Sequence, residues 1–179
     1  GQVRMSGKPL QAITVPAFRS PVGSMITAAD IYRVYFHGPA YRVMECAWWD
    51  GARMIGLMAQ DLPANHHPSK LATLFSPRLI ELCFQTAGLC ELSIEGQLGL
   101  PLHVDQVRVF RSLELARGRL YSLVAPQPEK SQFDAEVIDS ERNVYLQLRG
   151  YRTVALPAGV DADVLKKLQA LFAPRTAAA

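Results

Sequence analysis

Residues 78–92, Arg-Leu-Ile-Glu-Leu-Cys-Phe-Gln-Thr-Ala-Gly-Leu-Cys-Glu-Leu, place apolar side chains on nearly every side of a helical wheel. A surface helix shows one apolar stripe, so a helix of this kind has to be wrapped by the rest of its domain. Ser76 stands where an N-cap belongs, and Pro77 occupies the first helical position, where its missing N–H costs nothing. What precedes and follows this rod is rich in strand signals. Before it come a short helix over 28–35, opened by a capping box from Thr27 to Asp30, and a hairpin of strands 41–49 and 54–60 that turns at Asp50-Gly51. After it come four strands, 102–110, 119–125, 133–138 and 143–154, the first breaking phase at Asp105-Gln106, where a bulge fits. Phe133, Ala135 and Val137 alternate with Asp134 and Glu136, and Val144, Leu146 and Leu148 with Gln147 and Arg149, the mark of a sheet buried on one face. Connections this short suit antiparallel pairing. The expected class is α+β: a hotdog, an antiparallel sheet wrapped around one long buried helix. Its bounds are set at 26–157. An arm or linker over 1–25, with Pro9, Pro16, Pro21 and a short strand at 12–15, precedes it. A C-terminal helix over 162–172, capped by Asp161, and a tail follow within 158–179.

Composition removes several function classes. A 179-residue chain that is 49% hydrophobic can build a real core, which excludes disorder as its overall state. Nineteen basic against sixteen acidic residues give a net charge of +3, too small and too dispersed for a nucleic-acid partner. No apolar run approaches the roughly 20 residues that span a bilayer, so no membrane role and a cytoplasmic location are expected. Cys46, Cys83 and Cys90 form an odd set without metal-ligand spacing, which points to reduced thiols and no metal.

The residue that stands out chemically is Glu81, because a carboxylate is rarely placed in the most hydrophobic segment of a chain without a partner. Gln85 lies one turn on, and Gly88 and Leu92 continue that face, so an acid, an amide and a small gap face whatever lies opposite. Such a face suits a narrow apolar channel with two polar groups near one end. A plainer reading pairs Glu81 with Arg78, three residues back, at the positive end of the helix dipole, near solvent. Burial would keep the carboxyl protonated near neutrality, as a general acid requires. His37, His66, His67 and His103 sit at turns, loops and a strand start, where a lone histidine is most often a surface or hydrogen-bonded residue. Arg149, Arg152, Lys166 and Lys167 read as a solvated basic face, or as a docking face for an acidic carrier domain.

Three stretches carry a family likeness: Tyr35-Phe-His-Gly-Pro-Ala-Tyr41, Ser76-Pro-Arg-Leu-Ile-Glu-Leu-Cys-Phe-Gln-Thr-Ala-Gly-Leu89 and Leu100-Pro-Leu-His-Val-Asp-Gln-Val-Arg-Val109. From about residue 26 to 157 the chain resembles the C-terminal hotdog of the dehydratase domains of type I polyketide synthases and polyunsaturated fatty-acid synthases. The resemblance implies removal of water from a β-hydroxyacyl thioester presented on the phosphopantetheine arm of an acyl carrier protein, with no other cofactor. It implies a His from a first hotdog that takes the α-proton and an acid on the helix of the second that protonates the leaving hydroxyl. Glu81 stands at the family's Asp position and Gln85 at that of the supporting Gln, while Pro39, Tyr41, His37 and His103 are the candidate substrate-contacting residues. The family's His-x-x-x-Gly-x-x-x-x-Pro motif is absent. The expected partners are therefore the carrier protein, other synthase modules and a second hotdog, as a homodimer or a pseudo-dimer. Two alternatives stay open: a non-catalytic hotdog serving acyl or carrier binding or dimerisation, and a hotdog thioesterase using the same carboxylate.

Overall fold

The computed structural model describes residues 1–5, 8, 10–21, 25–68, 71, 76–156 and 160–172. In chain order the elements are β1 (Ile26–Thr27), α1 (Ala28–Val34), a 3-10 turn (Pro39–Tyr41), β2 (Met44–Trp49), β3 (Met54–Met58), α2 (Pro77–Glu95), β4 (Gly99–His103), β5 (Gln106–Val109), a second 3-10 turn (Leu113–Leu115), β6 (Leu120–Pro126), β7 (Gln132–Asp139), β8 (Val144–Ala155) and α3 (Ala162–Phe172). All strand pairs are antiparallel, in the order β1-β2-β3-β6-β7-β8, with β4 and β5 sharing the far edge of β8. The sheet packs around α2, which touches six of its strands.

The rod is enclosed, as its all-round apolar surface requires: twelve of its nineteen residues are buried. Leu79, Leu82, Leu89 and Leu92 meet Met54, Val124, Val137, Leu146 and Leu148 in one core. The helix stops at Gly96, whose left-handed backbone (φ 70°) turns its N–H onto the carbonyl of Leu92 at 3.0 Å. Its start differs from the expectation. Ser76 makes no side-chain cap bond, and Pro77 alone sets the first turn. The capping box at α1 forms in part: the Asp30 carboxylate meets the Thr27 backbone N–H, but the Thr27 side chain makes no cap bond to the helix backbone. Thr27 Oγ1 donates to Asp30 Oδ2 at 3.3 Å, and the buried Asp30 carboxylate turns to Lys167 of α3, 2.7 Å away. The carboxylate thus takes a charged partner from another element in addition to Thr27, and the pair with Lys167 holds it below the ordinary carboxylate value.

The phase break at Asp105 ends a strand instead of bulging one. Two strands, β4 and β5, result where one over 102–110 was expected, both paired with β8. The Asp105 carboxyl lies against Gly150 of β8, in the space a Cβ there would fill, and Gly150 takes a positive φ of 61° that side-chain-bearing residues rarely adopt. The arm contributes a single bridge, Thr14 to Asn143, in place of a strand over 12–15. It still has a structural role: Val15 and Phe18 join Cys46, Trp48, Ile55, Leu123 and Val144 on the sheet face opposite α2, and Trp48 Nε1 donates to the carbonyl of Arg19 at 2.9 Å. α3 folds back onto the domain, burying Val164 and Leu168 in the main core, with Arg33 of α1 reaching Asp161 at 2.7 Å. The expected domain boundary at 157/158 and the tail from 173 lie outside the described residues.

Candidate functional site

Four pieces of chain converge on the first turns of α2. The helix itself presents Glu81 and Gln85 one turn apart on one face, α1 and the residue after it bring Tyr32 and Tyr35, the stretch before the first 3-10 turn brings His37, and that turn brings Tyr41. The hydrogen bonds between them have a fixed direction. The backbone N–H of Met44 can only donate, and it donates to the Tyr32 hydroxyl oxygen at 2.8 Å. Tyr32 therefore spends its own proton on Gln85 Oε1, 3.0 Å away. With its carbonyl oxygen so engaged, the Gln85 amide nitrogen points the other way, donating to the Tyr41 carbonyl at 2.8 Å and to Glu81 Oε1 at 2.9 Å. The amide cannot flip without breaking three bonds, so the position of Glu81 Oε1 is set by a chain that starts on β2.

A second nitrogen reaches the same oxygen: His37 Nε2 lies 2.9 Å from Glu81 Oε1. Both side chains keep a window to solvent, 22% for His37 and 20% for Glu81. Among the described residues no donor reaches Oε2 of Glu81. The pairing of Glu81 with Arg78 does not form. Arg78 instead donates to the carbonyls of Ala40 and Pro63 and holds the 3-10 turn in place. The gap expected at Gly88 is filled by the Tyr35 phenol, which sits where a Cβ would stand and donates to the Gln85 carbonyl at 2.6 Å. Phe84 stacks on Tyr151 of β8 with ring centroids 4.5 Å apart, closing the apolar side of the cluster. An open cleft of about 640 Å³, lined by Tyr32, Arg42 and Met44 among others, adjoins the network through Tyr32; Glu81 does not line it.

Burial holds protons on the surrounding groups. It pushes the Tyr32 phenol up to about 12, Tyr35 and Tyr151 upward as well, and the thiols of Cys83 and Cys90 up to about 12 each, so these cysteines are neutral core residues and not nucleophiles.

Of the residues singled out in the sequence, Glu81, Gln85, Tyr41 and His37 meet here, with Pro39 opening the turn that carries Tyr41. His103 does not join them: on exposed β4 it pairs with Asp105 at 2.9 Å, beside Arg152. Two features escaped the sequence. Tyr32 shows nothing but helical periodicity in the chain, and its function as the link between β2 and Gln85 arises only on folding. Another acid, Glu91, is fully buried, with both oxygens within 2.9 Å of the Thr153 hydroxyl and the Gly99 backbone packed against it. Burial raises its pKa above the ordinary carboxylate range.

An antiparallel sheet wrapped around a central helix defines the hotdog fold, and the solved structures agree. The dehydratase domain from the CurF module of curacin polyketide synthase superposes with a TM-score of 0.60 at 18% identity, covering 74% of this chain and 48% of that one. A trans-AT polyketide synthase dehydratase domain from Brevibacillus brevis gives 0.59 at 14% identity over 74% and 49%. The dehydratase domain from the CurK module gives 0.57 at 17% over 79% and 50%, and that dehydratase has also been solved as inactive His-to-Phe and Asp-to-Asn mutants. The chain thus spans about half the length of the dehydratase domains it matches. No curated protein sequence matches it.

The model of the polyketide synthase dehydratase N-terminal domain family matches residues 14–163, and the chain belongs to that family. The match names an N-terminal domain, whereas the helix motif resembles the C-terminal hotdog. No described helix is long and apolar enough to cross a membrane.

Proposed function

We propose that this chain is the acid-bearing hotdog of a dehydratase acting on a β-hydroxyacyl thioester presented by an acyl carrier protein within a polyketide or fatty-acid synthase system. The observation that carries the reading is the locked Glu81–Gln85 pair, an acid aimed by an amide that is itself aimed from β2. Glu81 hands a proton to the departing hydroxyl, Gln85 keeps the carboxyl in position, and Tyr41 with Pro39 shapes the approach of the acyl chain. Support also comes from the CurK dehydratase, where loss of one Asp or one His inactivates, because Glu81 supplies the same functional group one methylene longer. A second hotdog completes the unit, either another copy or a neighbouring part of a synthase.

The test is formation of an enoyl product from a β-hydroxyacyl pantetheine thioester, with the chain alone and mixed with a His-bearing first hotdog of a polyketide synthase dehydratase. Activity in either condition that falls about 10²- to 10⁴-fold in Glu81→Gln is the expected result. No turnover in either condition overturns the reading, and release of free thiol without an enoyl would mark a thioesterase instead.

A further inference from the structure

The C-terminal end of α2 is fastened by one residue of the turn between β6 and β7. Glu91 and Glu95 stand one helical turn apart on the same face of the helix, and Ser131 meets both. Its backbone N–H donates to Glu95 Oε1 at 3.3 Å, its side chain hydrogen-bonds the Glu91 carboxyl, and its carbonyl accepts the Thr153 N–H at 3.1 Å. The Thr153 hydroxyl lies within 2.9 Å of both Glu91 oxygens, so helix, turn and β8 are joined around a single carboxyl. To make these bonds Ser131 takes a left-handed backbone, φ 54°, which a side-chain-bearing residue keeps only where its surroundings over-determine it. The neck of the turn is closed by the Gln127 N–H on the Gln132 carbonyl at 2.9 Å. Beside it lies a cavity of about 200 Å³, lined by Glu91, Ile94, Pro126, Pro128 and Phe133 among others.

This fastening suits one charge state of Glu91. The carboxyl has no exposed surface, so its ionisation places a charge in an apolar setting, one helical turn from Glu95. Glu95 is already one half of an ion pair with Lys130, at 3.1 Å. Lys130, whose side chain is 75% exposed, is therefore spent on the neighbouring acid and screened by water. The other titratable groups facing Glu91 bring no countercharge: Tyr35 after α1, Cys90 of α2 and Tyr151 of β8 are held protonated by burial. Burial outweighs the hydrogen bonds of Thr153 and Ser131 and favours the neutral acid.

We propose that the turn over residues 127–131 is a pH-operated clasp on the end of the central helix, shut while Glu91 is a neutral acid and loosened when Glu91 ionises, so that the carboxylate gains water through the adjoining cavity. None of the residues at the start of α2 takes part, so the clasp is independent of the dehydratase reading. Opening the turn returns Glu91 to the ordinary carboxylate value, below its value in the closed form. The shut form therefore loses ground as pH rises above the ordinary value, and the loss levels off above the raised one. A short segment held by few bonds can open in this way without unfolding the domain.

The experiment is hydrogen exchange of the full chain at pH 5 and pH 8, read by mass spectrometry on peptides covering 127–132 and on β2 and β3 as reference, each expressed as protection relative to the unstructured rate at that pH. The expected result is a loss of protection in the turn at pH 8 while β2 and β3 keep theirs, with the opening constant rising by at most about tenfold per pH unit, the slope of a single proton. In Glu91→Gln, whose amide cannot ionise, turn protection should be the same at both pH values. In Glu95→Gln, which keeps an acceptor for the Ser131 N–H without the like charge, the pH dependence should shrink. Turn protection that is equal at the two pH values in the parent, or that falls by the same factor in Glu91→Gln, overturns the inference. So does a loss spread evenly over the turn and the reference strands, which is global unfolding. An unchanged pH dependence in Glu95→Gln overturns the part assigned to repulsion between the two acids.

Discussion

Glu91 carries a carboxyl with no exposed surface whose near neighbours are the Thr153 hydroxyl, the Ser131 side chain, the Gly99 backbone and, further out, Glu95 and Lys130. Thr153 stands within 2.9 Å of both carboxyl oxygens, and the Ser131 side chain also hydrogen-bonds the group, yet burial outweighs both. The folded-state pKa is raised, chiefly by desolvation, so the stability this group confers is intact below the ordinary carboxylate value and is lost as pH rises through the folded value. Glu91→Gln copies the protonated acid in shape and cannot ionise. The variant should melt close to the parent at pH 4 and above it at pH 8; a variant that melts lower than the parent at pH 8 would show that the ionised carboxylate is the stabilising form. The contrast with Glu81 is instructive. Both acids lie on one helix, yet one is sealed among hydroxyls and the other meets the Gln85 amide, the His37 ring and a window to solvent.

At the scale of elements, α3 is part of the domain. Val164 and Leu168 have no exposed surface, and the helix is tied to α1 by Lys167 on Asp30 and Arg33 on Asp161. The Arg33 pair is largely exposed and worth little, whereas the buried apolar side chains carry the attachment. Leu168→Ala should cost about 2–5 kcal/mol by chemical denaturation, the range for emptying a filled core position. A loss below about 0.5 kcal/mol would mean that the helix is not docked in solution. The docking also bears on the site, because Asp30 sits on α1 two residues before Tyr32, whose hydroxyl sets the direction of the Gln85 amide. The arm has a comparable part on the other sheet face, where Val15 and Phe18 cover Trp48 and Leu123.

On the scale of the whole molecule, the chain presents an open sheet edge. β4 and β5 have β8 on one side and no strand on the other among the described residues, and Leu102 of β4 is 64% exposed along that edge. An uncovered edge with apolar side chains is a template for another strand. Sedimentation at micromolar concentration should therefore find a dimer, and a stable monomer would count against self-pairing, leaving a different hotdog as the partner.

Periodicity made the architecture legible. A helix apolar on all sides and strands with period-two alternation state their burial locally, because each side chain's face follows from its position in the repeat. The carboxylate–amide pair was legible for the same reason, one turn apart on one helix. The His37–Glu81 contact, the Tyr32 link to Gln85 and the sealing of Glu91 by Thr153 join residues up to 62 positions apart in sequence. No local pattern encodes such meetings; packing decides them, since a side chain's protonation and hydrogen bonds depend on what the tertiary fold brings within about 3 Å of it.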